Sequence, residues 1–116
     1  MNTTERLQAI LSGIPAVADA GIEVHRDFHP GHGESYIVHE IITESDAAYS
    51  DDLPEEQLDT VRVHWFTKGN PTTIKKEIRR ALRENDFSII MTQPMRESDT
   101  GYSHIVIEAR VIGEGD

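Results

Sequence analysis

Two segments in which apolar and polar residues alternate constrain the fold of this chain more than any other feature. The first segment places Val61, Val63 and Trp65 on one side and Arg62, His64 and Phe66 on the other. The second has a clear apolar row, formed by Ile105, Ile107, Ala109 and Val111. Because successive side chains of a β-strand point to opposite faces of the sheet, both segments predict strands that bury one face against a core.

Two amphipathic helices are predicted to pack against that sheet. The first covers about residues 4–13, where apolar residues recur every three or four positions, and either Asn2 or Thr3 serves as its N-cap. The second begins at Asn70-Pro71, a good capping residue followed by a residue that tolerates the first helical position, and ends near Asn85. Its apolar stripe consists of Ile74, Ile78, Ala81 and Leu82.

The remaining strands are predicted from shorter patterns. Residues 21–26 alternate as a short strand, and residues 36–43 are rich in β-branched and aromatic residues, which is typical of a well-covered strand. Phe87, Ile89 and Met91 alternate, and Gln93-Pro94-Met95 is expected to break that strand. Between Glu44 and Asp59 lies an acidic segment, for which we predict an exposed, mobile loop.

This order of elements predicts an α+β fold. A helix, two or three strands, a second helix and two strands indicate a largely antiparallel sheet of four to five strands packed against two helices. Residues 16–20 are mostly small, and their pattern predicts neither a helix nor a strand. A frayed tail is expected from Gly113 onward. With 116 residues, the chain is predicted to form a single domain over residues 1–116.

The charge balance limits the classes of partner. Eleven Lys and Arg against twenty-one Asp and Glu give a net charge of −10, which disfavours sequence-specific nucleic-acid binding. Five of the eleven cations lie within residues 75–83 of the second helix. A solvated helix face, a phosphate contact and a contact to an acidic patch on another subunit are the three interpretations of this basic segment. No apolar stretch predicts a signal peptide or a membrane span, so we expect no membrane partner.

Histidines provide the alternative functional hypothesis. His25, His29 and His32 lie within eight residues and form a candidate zinc cluster, which Asp27 or Glu34 would have to complete. The competing interpretation is a set of exposed loop histidines, because the proline and glycine that follow His29 preclude a preset helical geometry. On the metal hypothesis the protein is a small cytoplasmic metal- or ligand-binding domain.

Catalytic chemistry is not indicated by the sequence. The chain has no cysteine, no nucleophile-elbow or phosphate-loop pattern is present, and its paired carboxylates fall in the segments predicted to be most solvated. His39, His64 and His104 lie in predicted strands, where a structural role is the simplest interpretation. We therefore predict a non-enzyme and assign no catalytic, cofactor-binding or metal residue, with no cofactor.

Several short segments together resemble the tail-completion proteins of long-tailed bacteriophages and prophages. The resemblance covers roughly residues 20–112 and rests on Tyr36-Ile37-Val38, Tyr49-Ser50-Asp51-Asp52, Val61-Arg62-Val63-His64-Trp65-Phe66-Thr67-Lys68, Asn70-Pro71-Thr72 and Glu97-Ser98-Asp99-Thr100-Gly101-Tyr102-Ser103-His104. In that family, an apolar strand leads into a tyrosine-containing acidic loop, and an alternating strand ends in an aromatic residue plus Ser/Thr-Lys.

The resemblance implies a structural role in virion assembly. Such proteins are similar to tail terminators or tail-to-head joining proteins, which form rings, typically hexameric, at the head–tail junction. The implied partners are further copies of the chain, the tail tube and head-connector proteins, and the implied locations are the virion tail and, during assembly, the host cytoplasm. We expect the acidic residues 46–56 and the turn at residues 97–101 to be contact regions.

Overall fold

The computed structural model of the protein describes residues 1–28, 33–47, 56–95 and 99–113. Within these ranges there are three helices and five strands. The helices are α1 (Thr3–Ser12), α2 (Pro15–Asp19) and α3 (Thr72–Glu84). The strands are β1 (Glu23–Arg26), β2 (Ser35–Ala47), β3 (Glu56–Thr67), β4 (Ser88–Met95) and β5 (Ser103–Gly113).

The five strands form one sheet in the order β1-β2-β3-β5-β4. β1 pairs with β2 in parallel, and the other three pairings are antiparallel, which confirms the predicted α+β fold with a largely antiparallel sheet. β3 is central, and its register places Trp65 opposite Ile105 and Val63 opposite Ile107. The two alternating rows therefore lie side by side on the same face of the sheet.

The core lies between that face and the helices. Leu7 and Leu11 of α1, together with Ile78 and Leu82 of α3, have no exposed surface. They belong to one buried cluster, whose strand members are Ile37, Val61, Val63, Trp65, Ile105, Ile107, Ala109 and Val111. The indole Nε1 of Trp65 donates a hydrogen bond of 3.2 Å to the Pro71 carbonyl, which ties β3 to the start of α3.

Both predicted helices are present, and their starts follow from local hydrogen bonds. Asn2 and Glu5 form a reciprocal capping box at α1, in which the Asn2 side chain accepts from the Glu5 backbone N–H. α3 begins one residue later than predicted, at Thr72, whose backbone N–H donates to Asn70 Oδ1 at 2.9 Å. The ambiguous segment forms α2, a third helix that opens with Pro15 at its first position.

The acidic loop is shorter than predicted. β2 continues to Ala47 and β3 begins at Glu56, so residues 44–47 and 56–59 are paired strand and not loop. The prediction was wrong there because a backbone ladder forms independently of side-chain polarity, and the Ser45 hydroxyl adds a hydrogen bond to the Leu58 carbonyl. Residues 48–55 lie outside the described residues.

β4 also extends further than predicted, because Pro94 does not break it. β4 is an outer strand of the sheet, and outer strands tolerate proline because one side of the strand has no ladder of hydrogen bonds to interrupt. A register shift between Ile89 and Met91 interrupts the simple alternation expected for this strand. The predicted tail was likewise placed too early, since Gly113 is the last residue of β5.

A buried polar cluster joins the start of α1 to the sheet. Asp59 has no exposed surface, although it belongs to the acidic segment predicted to be solvated. It accepts hydrogen bonds from the hydroxyl of Thr3 and from Gln57 Nε2, the latter at 2.8 Å. Gly113 packs against the same carboxylate, and a Cβ at this position would lie 2.8 Å from Asp59 Oδ2. The acidic segment thus contributes Asp59, a residue of β3, to the interior.

Candidate interaction surfaces

The helices cover one face of the sheet, and within the described ranges the opposite face, here called the open face, carries no helix. It presents a row of stacked rings. Tyr36 and Phe66 stack with centroids 4.7 Å apart, and Phe66 stacks on His104 at 4.0 Å. Tyr102 meets Tyr36 edge-on at 5.6 Å. The rings come from three neighbouring strands or their ends, so this row fastens β2, β3 and β5 together on the open face.

A chain of hydrogen bonds continues that row. His64 Nε2 lies 2.6 Å from Glu40 Oε2, and His64 Nδ1 lies 2.9 Å from His104 Nε2. The contact between the rings requires one nitrogen to donate while the other accepts. Beside it, Arg62 Nε donates to Glu108 Oε1 at 3.0 Å. Each group therefore has a partner on an adjacent strand, which supports the predicted structural role of His64 and His104.

His39 differs from the other two strand histidines. It is 1% exposed and lies on the helix side of the sheet, where its Nε2 is 2.6 Å from Gln8 Oε1 of α1. The sequence placed His39 in a strand but did not show this contact, because a histidine gives no apolar signal for the buried face. His39 is a core residue with a polar partner.

The proposed zinc cluster is only partly visible. His25 lies in β1, and its Nε2 is 3.1 Å from Glu23 Oε2. His29 and His32 lie outside the described residues. Among the residues that the structure does describe, no group of three or more His, Cys, Asp or Glu side chains is arranged to hold a metal ion.

The two predicted contact regions have different outcomes. Of residues 46–56, only positions 46, 47 and 56 are described, and they belong to β2 and β3. In the turn, residues 97 and 98 lie outside the described ranges, and Asp99 and Thr100 are exposed. Gly101 has φ +77°, a left-handed conformation that favours glycine, and Tyr102 then donates its hydroxyl to the Gly33 carbonyl. The turn is thereby fastened to the start of β2.

The basic segment lies on the outer side of α3. Lys76, Arg80 and Arg83 are exposed, whereas Arg79 is partly buried and its Nε has no hydrogen-bond partner among the described residues. Glu77 pairs with Arg80 at 3.4 Å. Lys76 and Arg83 form no ion pair within the described part of the chain. A concentrated positive surface of this kind attracts an anionic partner.

The sheet order separates this positive surface from several acids. α3 packs near β4 at one end of the sheet, and β1 forms the other end. The side chains of Glu23 and Asp27, at the two ends of β1, are 64% and 60% exposed. Sequence reasoning missed this separation, because it follows from the order of the strands and not from any local pattern.

None of the helices in the described ranges has both the length and the apolar character needed to cross a membrane. Three surfaces of the described structure are candidates for interaction: the open face, the basic side of α3 and the outer side of β1.

The class that these features define is an α+β domain with a five-stranded, mostly antiparallel sheet and helices on one face. Neither the models of known protein families nor the curated proteins give a match to this chain. Solved structures do share its fold. One is a chain of the virion of a native gene transfer agent particle, with 18% identity and a TM-score of 0.54. The likeness covers 92% of this chain and 95% of that chain, so the fold is shared over almost the whole length.

Proposed function

We propose that this protein is a non-catalytic structural component of a phage-type virion, which completes the tail and joins it to the head as a ring of identical subunits. The observation that carries the proposal is the shared fold with a virion chain over 92% of the present chain. Its proposed partners are further copies of itself, the tail tube and the head connector. Its proposed location is the head–tail junction.

The distribution of surface chemistry supports ring formation. A closed ring of identical subunits needs a heterologous contact, in which two different patches of each copy fit together. The basic side of α3 and the outer side of β1 are two such patches, because they lie at opposite ends of the sheet and differ in charge. A protein with one self-complementary patch would instead be suited to a closed dimer.

The net charge supports a position around DNA. Six copies of a chain with net charge −10 carry about −60, and a negative channel wall repels the phosphate backbone. Repulsion of this kind prevents DNA from adhering while it passes. We propose that the ring surrounds DNA without binding a particular sequence.

Size-exclusion chromatography with light scattering over a concentration series tests the proposal. Six copies of 13.1 kDa give an expected mass of about 79 kDa, and negative-stain electron microscopy should then show rings. A mass that stays at that of the monomer at every concentration and salt level, with no rings on the grid, would contradict ring formation.

The same measurement with zinc separates the proposal from the metal-binding alternative. On the ring proposal, the mass and the thermal stability do not depend on zinc. Stoichiometric zinc uptake that is lost in a His29→Ala variant would instead favour the alternative based on His25, His29 and His32. The His39→Ala variant is unsuitable as a control, because His39 is buried against α1. Glu34→Gln is a second test variant, because Glu34 is exposed and is one of the two residues that would complete the cluster.

A further inference from the structure

The end of the sheet formed by β4 and α3, here called the basic edge, combines positive charge with exposed apolar surface. α3 carries five cations and two acids, which leaves six of the eleven cations and nineteen of the twenty-one acids for the rest of the chain. β4 itself has no charged residue. Its Ile90 and Met95 are each 44% exposed. Two exposed apolar residues thus lie on the outer strand at the same end of the sheet as the positively charged helix α3.

The other end, formed by β1 and the adjoining start of β2, has the opposite character and is here called the acidic edge. Glu23, Asp27 and Glu34 are exposed there, and so is Arg26, whose Nε pairs with Asp27 Oδ2 at 3.1 Å, so that three acids outnumber one arginine. Of the strands in the described ranges, β1 pairs only with β2. Phe28, directly after β1, is 71% exposed, and Ile42 of β2 is 37% exposed. The acidic edge therefore also combines charge with apolar surface, and its charge is complementary to that of the basic edge.

We infer that the basic edge of one copy docks against the acidic edge of the next copy. This inference rests on the proposed function and names the surfaces that form its ring contact. Exposed apolar groups on both edges become buried, and opposite charges around them fix the orientation. Because the two edges lie at opposite ends of one sheet, the contact is head-to-tail and can repeat from copy to copy.

The combination of charge and exposed apolar surface favours a second copy over nucleic acid as the partner of α3, although a second copy also carries a net charge of −10. A phosphate backbone that approaches α3 also meets the repulsion of a molecule with net charge −10. A second copy does not present uniform negative charge, since it presents acids at one edge and apolar side chains between them. A second copy therefore offers acids to the cations of α3 and apolar side chains to Ile90 and Met95, whereas nucleic acid offers only negative charge.

Charge reversal on each edge tests the inference. One variant carries Lys76→Glu and Arg83→Glu, and the other carries Glu23→Lys and Glu34→Lys; all four side chains are exposed. Each variant alone brings like charges together and should weaken self-association by about 100-fold or more. An equimolar mixture restores opposite charges at every contact. It should assemble again, with the two variants in alternation.

Two controls accompany these variants. Ser45→Glu with Ile112→Glu makes the net charge more negative by two, which is half the change in the basic-edge variant, at exposed positions outside β1, β4 and α3. This control should assemble like the unmodified protein. Thermal unfolding of every variant checks that the fold is retained, which is expected because the substituted side chains are exposed.

Disulfide trapping provides a second measurement, because the chain has no cysteine of its own. Single variants Glu23→Cys and Arg83→Cys are mixed under mild oxidation. The inference expects the mixed dimer to form faster than either dimer of identical variants. Faster formation of a dimer between identical variants would overturn the head-to-tail arrangement.

The outcomes separate failure of this inference from failure of the proposed function. If the unmodified protein forms rings and both reversed variants do so equally well, the assigned edges are wrong while the ring proposal stands. If the unmodified protein remains monomeric at every concentration and salt level, both proposals fail, because this range includes conditions that leave the attraction between the edges unscreened and conditions that screen the repulsion between net charges. If duplex DNA binds the protein and the basic-edge variant loses only that binding, α3 is a phosphate-binding surface and the inference is overturned.

Discussion

Removal of the Thr3 hydroxyl tests the buried cluster at the start of α1. Thr3 and Asp59 both have no exposed surface, and the hydroxyl donates to the carboxylate. In a Thr3→Val variant, the shape of the side chain is kept while this donor is lost. A hydrogen bond to a charged group contributes about 1.5–3 kcal/mol, so we expect the free energy of unfolding to fall by about 2 kcal/mol. For a domain of this size, that corresponds to a decrease of about 10 °C in Tm.

Urea unfolding monitored by circular dichroism measures the decrease in the free energy of unfolding, and two further variants serve as comparisons. Thr3→Ser keeps the hydroxyl and removes one buried methyl group, so its loss should be only about 1 kcal/mol. Thr4→Val makes the same chemical change at the next position of α1, where no hydrogen bond to a carboxylate is present within the described residues, and should change stability little. If Thr3→Val is as stable as Thr4→Val, or more stable than Thr3→Ser, the reasoning about this cluster is refuted.

Three further predictions concern stability. Gly113→Ala should lower the free energy of unfolding by about 1–3 kcal/mol, because the new Cβ would lie 2.8 Å from Asp59 Oδ2; an unchanged urea midpoint would show that the site has room. Asn2→Ala removes the cap of α1 and should cost about 1 kcal/mol in the same assay. Ile107→Ala should cost about 2–5 kcal/mol because Ile107 is wholly buried, whereas Ile112→Ala, at a position that is 60% exposed, should change stability by less than about 0.5 kcal/mol. Equal losses for the two isoleucine variants would contradict the described register of β5.

The sequence was sufficient for elements in which local pattern and tertiary environment agree. The apolar row of β5 is buried as predicted, and so is the row of β3 that contains Trp65. Helix α1 ends where Gly13 follows its apolar stripe, and its cap is one of the two residues predicted. In each case, the period of the apolar residues and the flanking residues indicate the same element.

The sequence was misleading where the environment overrides a local rule. Proline interrupts a strand that pairs on both sides. Among the described strands, β4 pairs with β5 alone, and Pro94 is accommodated within it. Asp59 is expected in water on composition alone, but the hydroxyl of Thr3 and the amide of Gln57 accommodate it in the interior. Both features depend on which elements become neighbours, and a local pattern carries no such information.

The candidate surfaces were predictable in their parts and not in their arrangement. The basic segment of α3 was evident in the sequence, as were the faces of His64 and His104. The 2.9 Å contact between the two rings requires the register of β3 against β5, and the separation of the basic edge from the acidic edge requires the strand order. These are properties of the assembled sheet.

The position of β1 at the end of the sheet has a consequence for amide hydrogen exchange. β3 is hydrogen-bonded to β2 on one side and β5 on the other, whereas β1 has four residues and, in the part of the chain that the structure describes, one neighbouring strand. Because β1 pairs with one strand, local opening that releases it should cost less free energy than opening of β3. The amides of β1 should therefore exchange faster than those of β3, which exchange only through global unfolding. A strand that separates independently of the core can change its shape to fit a neighbour while the rest of the molecule stays folded. The acidic edge thereby consists of a strand, β1, that can adapt its conformation, next to strands that stay folded.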